Sequence, residues 1–233
     1  VDAMSQVSNK AATGIASALA ASRGYPPTRL LEALAKPNAN RAALLERCGL
    51  QSAGGPVVAM VTRLVDQKGV DLAVGCAPFL RRVHASMVIL GDGDDALAAL
   101  CDDAVARHPG EVAFVRGYDN GLAHLMFGGA DVLVMPSRFE PCGLAQMQAM
   151  RYGTLPLVTD VGGLHDTVVD VDDVPAQGTG VVARRAEGTD VLDGLHRMTR
   201  SWGQVRRRAA MQRRGMTTDW SWRAPAGQHV EWY

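Results

Sequence analysis

Aromatic side chains are scarce in this sequence: Phe, Trp and Tyr make up 5% of its 233 residues. Val, Leu, Ala and Met must therefore fill its core. An excess of one charge is also missing, because 24 Lys and Arg residues balance 24 Asp and Glu residues. A dedicated nucleic-acid-binding protein usually carries a basic excess, so this balance disfavours a nucleic-acid partner.

Cysteine motifs, metal motifs and membrane spans are lacking as well. The four cysteines, Cys48, Cys76, Cys101 and Cys142, form no CxxC pair, which predicts free thiols in a reducing compartment. The histidines show no metal-binding spacing, so we expect no metal site. No apolar run approaches the roughly 20 residues that a membrane helix needs, and the first residues lack the order of a signal peptide. We therefore expect no membrane partner.

What is present is an ordinary globular balance, with 47% hydrophobic and 21% charged residues. This is enough apolar material for one sizeable core. Residues 1–55 are rich in Ala, Ser and Asn, and helices are expected there at 11–21 and 40–48. Because Gly54, Gly55 and Pro56 mark a break, we predict a leader or partial interdomain segment over 1–55 and a domain over 56–233.

After that break, short apolar runs alternate with helical segments. Near-continuous apolar strands are typical of a parallel sheet covered on both faces, and the alternation predicts a doubly wound, Rossmann-like α/β fold. Strands are expected at 57–62, 86–90, 112–116, 131–135, 155–159 and 180–183, and helices at 69–83, 94–107, 120–127, 143–152, 164–169 and from about 189. The acidic stretch 170–173 is expected to be a solvated loop, and the arginine run 206–208 a helix face.

Ligands of such sheets bind outside the carboxyl ends of the strands. Arg63 leaves the first strand and Lys68 starts the next helix, so both can face one crevice and hold a diphosphate without a metal. The alternative is a solvated turn. Glu140, fixed between Pro136 and Pro141, could bond sugar hydroxyls or stabilise positive charge at a reacting carbon. Alternatively, it only complements the dipole of the following helix.

Small residues accompany these side chains. Gly143 would let a phosphate approach the helix end, and Gly162 with Gly163 either cradles a ligand or forms a tight turn. Cys142 has no histidine tied to it as an activating base, so we expect it to pack near a ligand rather than attack it. The stretch 91–93 lacks the third glycine of a dinucleotide fingerprint and is expected to be a turn.

Taken together, the motifs resemble those of bacterial glycogen synthases and plant starch synthases. The resemblance runs from about residue 38 to the end of the sequence. It rests on "TRLVDQKGVDL", "ILGDGD", "SRFEPCGL", "RYGTLP", "GGLHDTV" and the tail "DWSWRAPAGQHVEWY". It implies a retaining glucosyltransferase that takes glucose from ADP-glucose, or in some members UDP-glucose, and extends an α-1,4-glucan. It also implies a GT-B enzyme of two Rossmann-like domains, of which this chain matches the C-terminal, donor-binding one.

The resemblance also implies roles for single residues. Arg63 and Lys68 would hold the diphosphate and neutralise the leaving ADP, and Glu140 would contact the donor glucose and support an oxocarbenium-like transition state. The other substrate-binding positions it implies are Tyr118, near the adenine, Cys142, Gly143 and Leu144, against the sugar and phosphate, and Gly162 and Gly163, which shape the crevice.

Two departures limit what the resemblance implies. The family's N-terminal "KTGGL" loop and its acceptor-binding domain are not in this sequence. The expected partners are therefore ADP-glucose, the glucan acceptor and the missing N-terminal domain, with transfer by this chain alone poor or absent. The alternatives are a non-catalytic module that binds a nucleotide sugar or a glucan, and a related glycosyltransferase with another donor. The implied location is the bacterial cytoplasm, or the plastid stroma in a plant.

Overall fold

A computed structural model describes residues 39–51 and 54–220. Within these residues the strands, in chain order, are β1 (Val57–Leu64), β2 (Ser86–Gly93), β3 (Val112–Arg116), β4 (Val132–Met135), β5 (Leu155–Thr159) and β6 (Val181–Ala183). The helices are α1 (Ala39–Arg47), α2 (Val70–Val74), α3 (Asp95–Arg107), α4 (Asn120–Gly129), α5 (Ala145–Tyr152), α6 (Gly162–Thr167), α7 (Gly188–Gly203) and α8 (Val205–Thr217). Short 3-10 turns occupy Asp66–Lys68, Ala77–Phe79 and Arg81–Val83.

The strands form one parallel sheet in the order β3-β2-β1-β4-β5-β6. Successive side chains of a strand point to opposite faces, and both faces of this sheet are buried. On β1, Val58 and Met60 pack into a cluster that includes residues of α2, α3, α7 and α8, whereas Val57 and Ala59 pack into one that includes α1, α4 and α5. The predicted doubly wound parallel architecture is therefore confirmed.

Two predicted strands are longer than expected. β1 continues to Leu64 and β2 to Gly93, so the stretch 91–93 is strand, and its prediction as a turn is wrong. Thr62 pairs with Gly91 in the register of β1 and β2. A Cβ on Gly91 would lie 2.0 Å from the carbonyl O of Thr62, so glycine permits the close approach of the two strands.

Two predicted helices are interrupted. The segment predicted as one helix over 69–83 is α2 followed by two 3-10 turns, because Pro78 has no N–H to donate and its ring obstructs the preceding turn. The helical tail expected from 189 is divided into α7 and α8 at Gln204, whose backbone is not helical. The helix predicted over 164–169 is α6, which begins two residues earlier, at Gly162.

The acidic stretch at 170–173 is solvated at Asp173, which is exposed, but the prediction of a solvated loop is wrong for Asp170 and Asp172. Asp170 is 7% exposed and accepts hydrogen bonds from Val182 N (2.6 Å) and Arg197 Nη2 (2.5 Å). Asp172 pairs with Arg197 and with Arg207 of the predicted helix face. The ion pairs join this stretch to α7 and α8, and the hydrogen bond from Val182 N joins it to β6.

The ends of the chain bear on the predicted domain division. α1 packs against α4, and its Leu44 is fully buried in the core, so residues 39–51 share the core of the sheet. The division between 55 and 56 itself stays a prediction. The helix expected at 11–21 and almost all of the tail at 219–233 lie outside the described residues. Among the helices of the described ranges, none has the length and apolar character needed to cross a membrane.

Candidate functional site

A crevice opens where the order of the strands reverses along the sheet, between β1 and β4. The register of these two strands pairs Val58 with Val132 and Ala59 with Leu133, and within the described chain it ends there. Beyond this point the strands separate and a cavity of about 280 Å³ lies at their carboxyl ends. Its wall is formed by β1, β4 and the segments that follow them: Met60, Val61, Thr62, Arg63, Lys68, Val134, Met135, Ser137, Glu140, Gly143, Leu144 and Ala145.

An ion pair crosses this cavity. Lys68, in the 3-10 turn after β1, donates from Nζ to Glu140 Oε2 at 2.5 Å. The side chains are 16% and 8% exposed, so both charges are largely removed from water. Burial of an ion pair costs desolvation energy that the attraction between its charges must offset. Each of these two buried charges is therefore stabilised by the other.

Arg63 supplies a second cation at the mouth of the cavity. It lies near the end of β1, where the register pairs it with Asp92 of β2, and it is exposed. No carboxylate among the described residues forms an ion pair with its side chain. The guanidinium is thus available to an anion that enters the cavity.

The beginning of α5 lies at the same cavity. Gly143, with φ +71°, precedes Leu144 at the N-cap, and Ala145 is the first helical residue. No side chain caps this helix end, which leaves backbone N–H groups of the first turn for an anion. The site therefore combines a helix N-terminus with two cations and one carboxylate, a set suited to a sugar diphosphate.

Gly162 and Gly163, at the beginning of α6, pack against the backbone of residues 140–142, which we call the Glu140 segment. Gly163 N donates to Glu140 O at 2.9 Å. A Cβ on Gly162 would lie 2.1 Å from Glu140 O, and one on Gly163 would lie 1.8 Å from Cys142 O. These glycines let α6 approach the segment closely, but neither lines the cavity.

The structure thus brings together Arg63, Lys68, Glu140, Gly143 and Leu144 of the predicted site residues. Two others lie apart from the cavity wall. Cys142 is exposed on the segment beside it. Tyr118 follows β3 and is 85% exposed, so its contact with an adenine stays a prediction.

Residues without a predicted role also shape the site. Gln146 is fully buried, and its Nε2 donates to Gly143 O (2.7 Å) and Thr167 Oγ1 (3.0 Å). Arg138 donates to both carboxylate oxygens of Asp71, and these hydrogen bonds hold the pKa of the Asp71 carboxyl below its usual value. Arg138 lies three residues after the predicted strand at 131–135, which is a signal in the sequence, but its partner Asp71 is 67 residues away.

The next feature is the set of side chains that could bind a metal ion. Within the described ranges, no group of three or more His, Cys, Asp or Glu side chains is placed to hold a metal ion. Positive charge at the cavity comes from Arg63 and Lys68.

Comparison with known proteins gives the family. The model of the family "Glycosyl transferases group 1" matches residues 49–215. The chain belongs to the group 1 glycosyl transferases. As such, it carries a glycosyltransferase domain, and the Rossmann-like fold expected for a GT-B enzyme is confirmed by its structural neighbours.

Relatives of this glycosyl transferase include bacterial glycogen synthases. That of Halorhodospira halophila is 43% identical over 195 residues, covering 84% of this chain and 41% of the relative. That of Alkalilimnicola ehrlichii is 44% identical over 199 residues, with the same coverage. The predicted resemblance is confirmed, but the chain spans only about two fifths of the length of these relatives.

Solved structures show the same partial match. The catalytic domain of starch synthase IV from Arabidopsis thaliana, bound to ADP and acarbose, superimposes with a TM-score of 0.77 at 32% identity, covering 83% of this chain and 41% of that one. Sucrose-phosphate synthase from Thermosynechococcus elongatus, with a TM-score of 0.62 at 24% identity, covers 82% of this chain and 48% of that one and shares the fold.

Proposed function

We propose that this chain is the ADP-glucose-binding half of a glycogen or starch synthase, which transfers glucose with retention to the non-reducing end of an α-1,4-glucan. The observation that carries the proposal is the cavity between β1 and β4, where Arg63, Lys68 and Glu140 meet the N-terminus of α5. The glycogen synthase relatives, and the starch synthase whose structure holds ADP, support this choice of donor and product.

The diphosphate of the donor would lie against Arg63, Lys68 and the first turn of α5. When the bond between glucose C1 and the phosphate oxygen breaks, its electron pair goes to the leaving ADP. The two cations stabilise that negative charge, as fixed positive groups do where charge develops in a transition state. Because these side chains supply the charge, the proposed reaction needs no metal.

Glu140 would face the glucose. Its carboxylate is mostly buried beside the cavity, where it can accept hydrogen bonds from sugar hydroxyls and stabilise an oxocarbenium-like carbon. The acceptor hydroxyl then forms the new bond to C1 on the face from which ADP departs, and its proton goes to the leaving phosphate oxygen. An arriving diphosphate would attract Lys68 and so free Glu140 for the sugar.

The remaining predicted residues have lesser parts in this proposal. Gly143 and Leu144 would lie against the phosphate and the sugar, and Cys142 would pack beside them. Gly162 and Gly163 would act by supporting the Glu140 segment, since they lie behind it. Tyr118, on its exposed position after β3, would reach the adenine.

The proposal makes the rest of the enzyme a necessary partner. Catalysis needs both walls of a cleft to position donor and acceptor and to exclude water, and this chain supplies one wall. A domain that completes the cleft and binds the glucan is therefore part of the proposal. The four cysteines, all within the described ranges, are free thiols, which favours a reducing compartment such as the bacterial cytoplasm or the plastid stroma.

Calorimetric titration of ADP-glucose into the purified chain tests this proposal. We expect saturable binding that Arg63→Ala weakens at least about tenfold, the loss of roughly one charge-assisted contact. Arg81→Ala is the matched control, because Arg81 is exposed and lies before the start of β2, whereas the cavity lies at the carboxyl ends of the strands. Absence of binding to the folded parent, or equal loss in both variants, would refute the donor site.

A second candidate function is a binding module without catalysis, because the two cations and the helix N-terminus at the cavity would hold a sugar diphosphate whether or not glucose is transferred. A glucan-elongation assay distinguishes the two. Incorporation of labelled glucose by the chain together with its N-terminal domain supports the enzyme. Donor binding without incorporation in that assembly supports the module.

A further inference from the structure

The two walls of the cavity are not held together by the sheet. β1 and β4 pair near their beginnings, at Val58 and Ala59, whereas Lys68 and Glu140 come after the ends of these strands. The β1 wall is fixed by β2, whose register with β1 extends from Val57 to Leu64. The distance between Lys68 and Glu140 must therefore be set by something other than a backbone ladder.

Arg138 lies where such a connection is needed. Its Nη1 and Nη2 donate to Asp71 Oδ1 (2.9 Å) and Oδ2 (2.7 Å), and Nη1 also donates to Asp66 O (2.8 Å). Asp66 and Asp71 flank Lys68 in sequence, and Arg138 is two residues before Glu140. The guanidinium does not line the cavity, so it acts on the two segments and not on a ligand.

Two further hydrogen bonds join the same two segments. Arg138 N donates to Gln67 O at 2.8 Å, and Gln67 Nε2 donates to Phe139 O at 2.8 Å. Gly69, with φ +64°, allows the two segments to approach, because a Cβ there would lie 2.0 Å from Pro136 O. The backbones of the two segments are therefore already close, and the planar guanidinium of Arg138 adds a two-pronged hydrogen bond between them.

We propose that Arg138, through Asp71, is a positioning residue that fixes the Glu140 wall of the cavity at the distance from Lys68 that a sugar diphosphate requires. This inference rests on the proposed function. It goes beyond it by assigning donor discrimination to a side chain that touches no ligand. Binding of a nucleoside diphosphate that carries its sugar depends on the distance between Lys68 and the Glu140 wall. Binding of the nucleoside diphosphate alone depends on it less.

The physical reason is that the contacts to the phosphates and the contacts to glucose weaken with distance at different rates. The phosphates are held by charges on flexible stems, and the attraction between charges falls slowly with distance. Glucose hydroxyls are held by hydrogen bonds, which weaken steeply with distance and angle. A small shift of the Glu140 wall therefore weakens contacts to glucose more than contacts to the diphosphate.

Arg138→Lys tests the inference, because lysine keeps the positive charge but cannot donate to both carboxylate oxygens of Asp71 in the geometry of a planar guanidinium. We expect the dissociation constant for ADP-glucose to rise about tenfold and that for ADP to rise no more than about threefold, both by calorimetry. Asp71→Asn should shift the ratio in the same direction, and the double variant should be no worse than Arg138→Lys, since the two residues act as a unit.

Arg185→Lys is the matched control, because Arg185 also forms a forked pair, with Asp190, beyond the edge strand β6. Its ADP to ADP-glucose ratio should equal that of the parent. An unchanged ratio in Arg138→Lys, or equal loss of both ligands, overturns the inference while leaving the proposed function standing. If the parent binds neither ligand, the proposed function fails and the inference fails with it.

Discussion

At the scale of single residues, His165 is the clearest example of a titration set by one neighbour. Its Nδ1 lies 2.6 Å from Asp160 Oδ1, and this hydrogen bond, with the negative charge of Asp160, raises the pKa of His165 above 6.5. The protonated ring is the stabilised form. Its contribution to the free energy of unfolding is therefore fully present below pH 6.5 and is lost as the pH rises through the raised pKa.

We predict that the NMR titration of the His165 ring has its midpoint above pH 6.5, and that Asp160→Asn moves the midpoint back towards that value. The replacement keeps the shape of the partner and removes its charge. A midpoint in the parent at or below 6.5, or one that Asp160→Asn leaves in place, contradicts the assigned contact.

Gly163 is a residue whose missing side chain determines local packing. Because an added Cβ would lie 1.8 Å from Cys142 O, Gly163→Ala must displace α6 or the Glu140 segment. We expect the free energy of unfolding to fall by about 2 to 3 kcal/mol in urea denaturation, a typical cost of overpacking.

Gly188→Ala is the control for that measurement. Gly188 begins α7, and a Cβ there has no atom within 4 Å among the described residues. Alanine should leave stability unchanged or raise it by up to about 1 kcal/mol, because it restricts the unfolded chain and favours the helix. Similar losses in both variants would show that the close approach at Gly163 has little energetic weight.

At the scale of elements, strands were easier to predict than helices. Apolar runs locate each strand because both faces of the sheet are buried, and errors arose at strand ends where glycines such as Gly91 and Gly93 suggested a turn. Their role depends on how closely β1 approaches, which the sequence does not show. The helix predicted over 69–83 is interrupted because Pro78, at the beginning of a 3-10 turn, has no N–H to donate to the preceding turn.

The candidate site was predictable to the same extent as the strands. Arg63, Lys68 and Glu140 could be found because each lies at or after the carboxyl end of a strand, and parallel strands bring these ends to one edge. The partners that position them could not. Arg138 and Asp71 are 67 residues apart, and their contact depends on β1 lying beside β4, a neighbour that is not adjacent in sequence.

The junction of β6 with α7 and α8 provides a prediction at this scale. Asp170 accepts hydrogen bonds from Val182 N and Arg197 Nη2 while nearly excluded from water. Asp170→Ala leaves the amide and part of the guanidinium without their acceptor, so we expect a loss of about 3 kcal/mol of unfolding free energy.

Urea denaturation followed by circular dichroism measures that loss. Asp190→Ala serves for comparison, because its partner Arg185 is exposed, and its midpoint should be nearly that of the parent. If Asp170→Ala and Asp190→Ala proved equally stable, the assignment of Asp170 to a buried ion pair would be refuted.

At the scale of the whole molecule, ligand binding should be visible as stability of the entire fold. The cavity is built from β1, β4 and α5, so a ligand there binds the folded chain and not the unfolded one. At ADP concentrations of about 100 times the dissociation constant, the free energy of unfolding should rise by roughly 2.7 kcal/mol.

Thermal unfolding at fixed protein concentration tests this expectation. At the ADP concentration that stabilises the parent, Arg63→Ala should show only about half of the rise, because a tenfold weaker dissociation constant removes about 1.4 kcal/mol of it. Arg81→Ala should behave as the parent does. Stabilisation of the same size in Arg63→Ala would place ADP elsewhere on the molecule.

The strand order has a consequence for how this chain could be divided. Cutting after Gly117, beside the exposed Tyr118, separates β1, β2 and β3 from β4, β5 and β6, and these sets are the two contiguous halves of the sheet. In the sheet, the two halves then meet only through the short pairing of β1 with β4, between Val58 and Val132 and between Ala59 and Leu133. Each fragment would hold one wall of the cavity, with Arg63 and Lys68 on the first and Glu140 on the second. The recovery of nucleotide binding on mixing would then report fragment complementation, making the molecule a natural template for a split sensor.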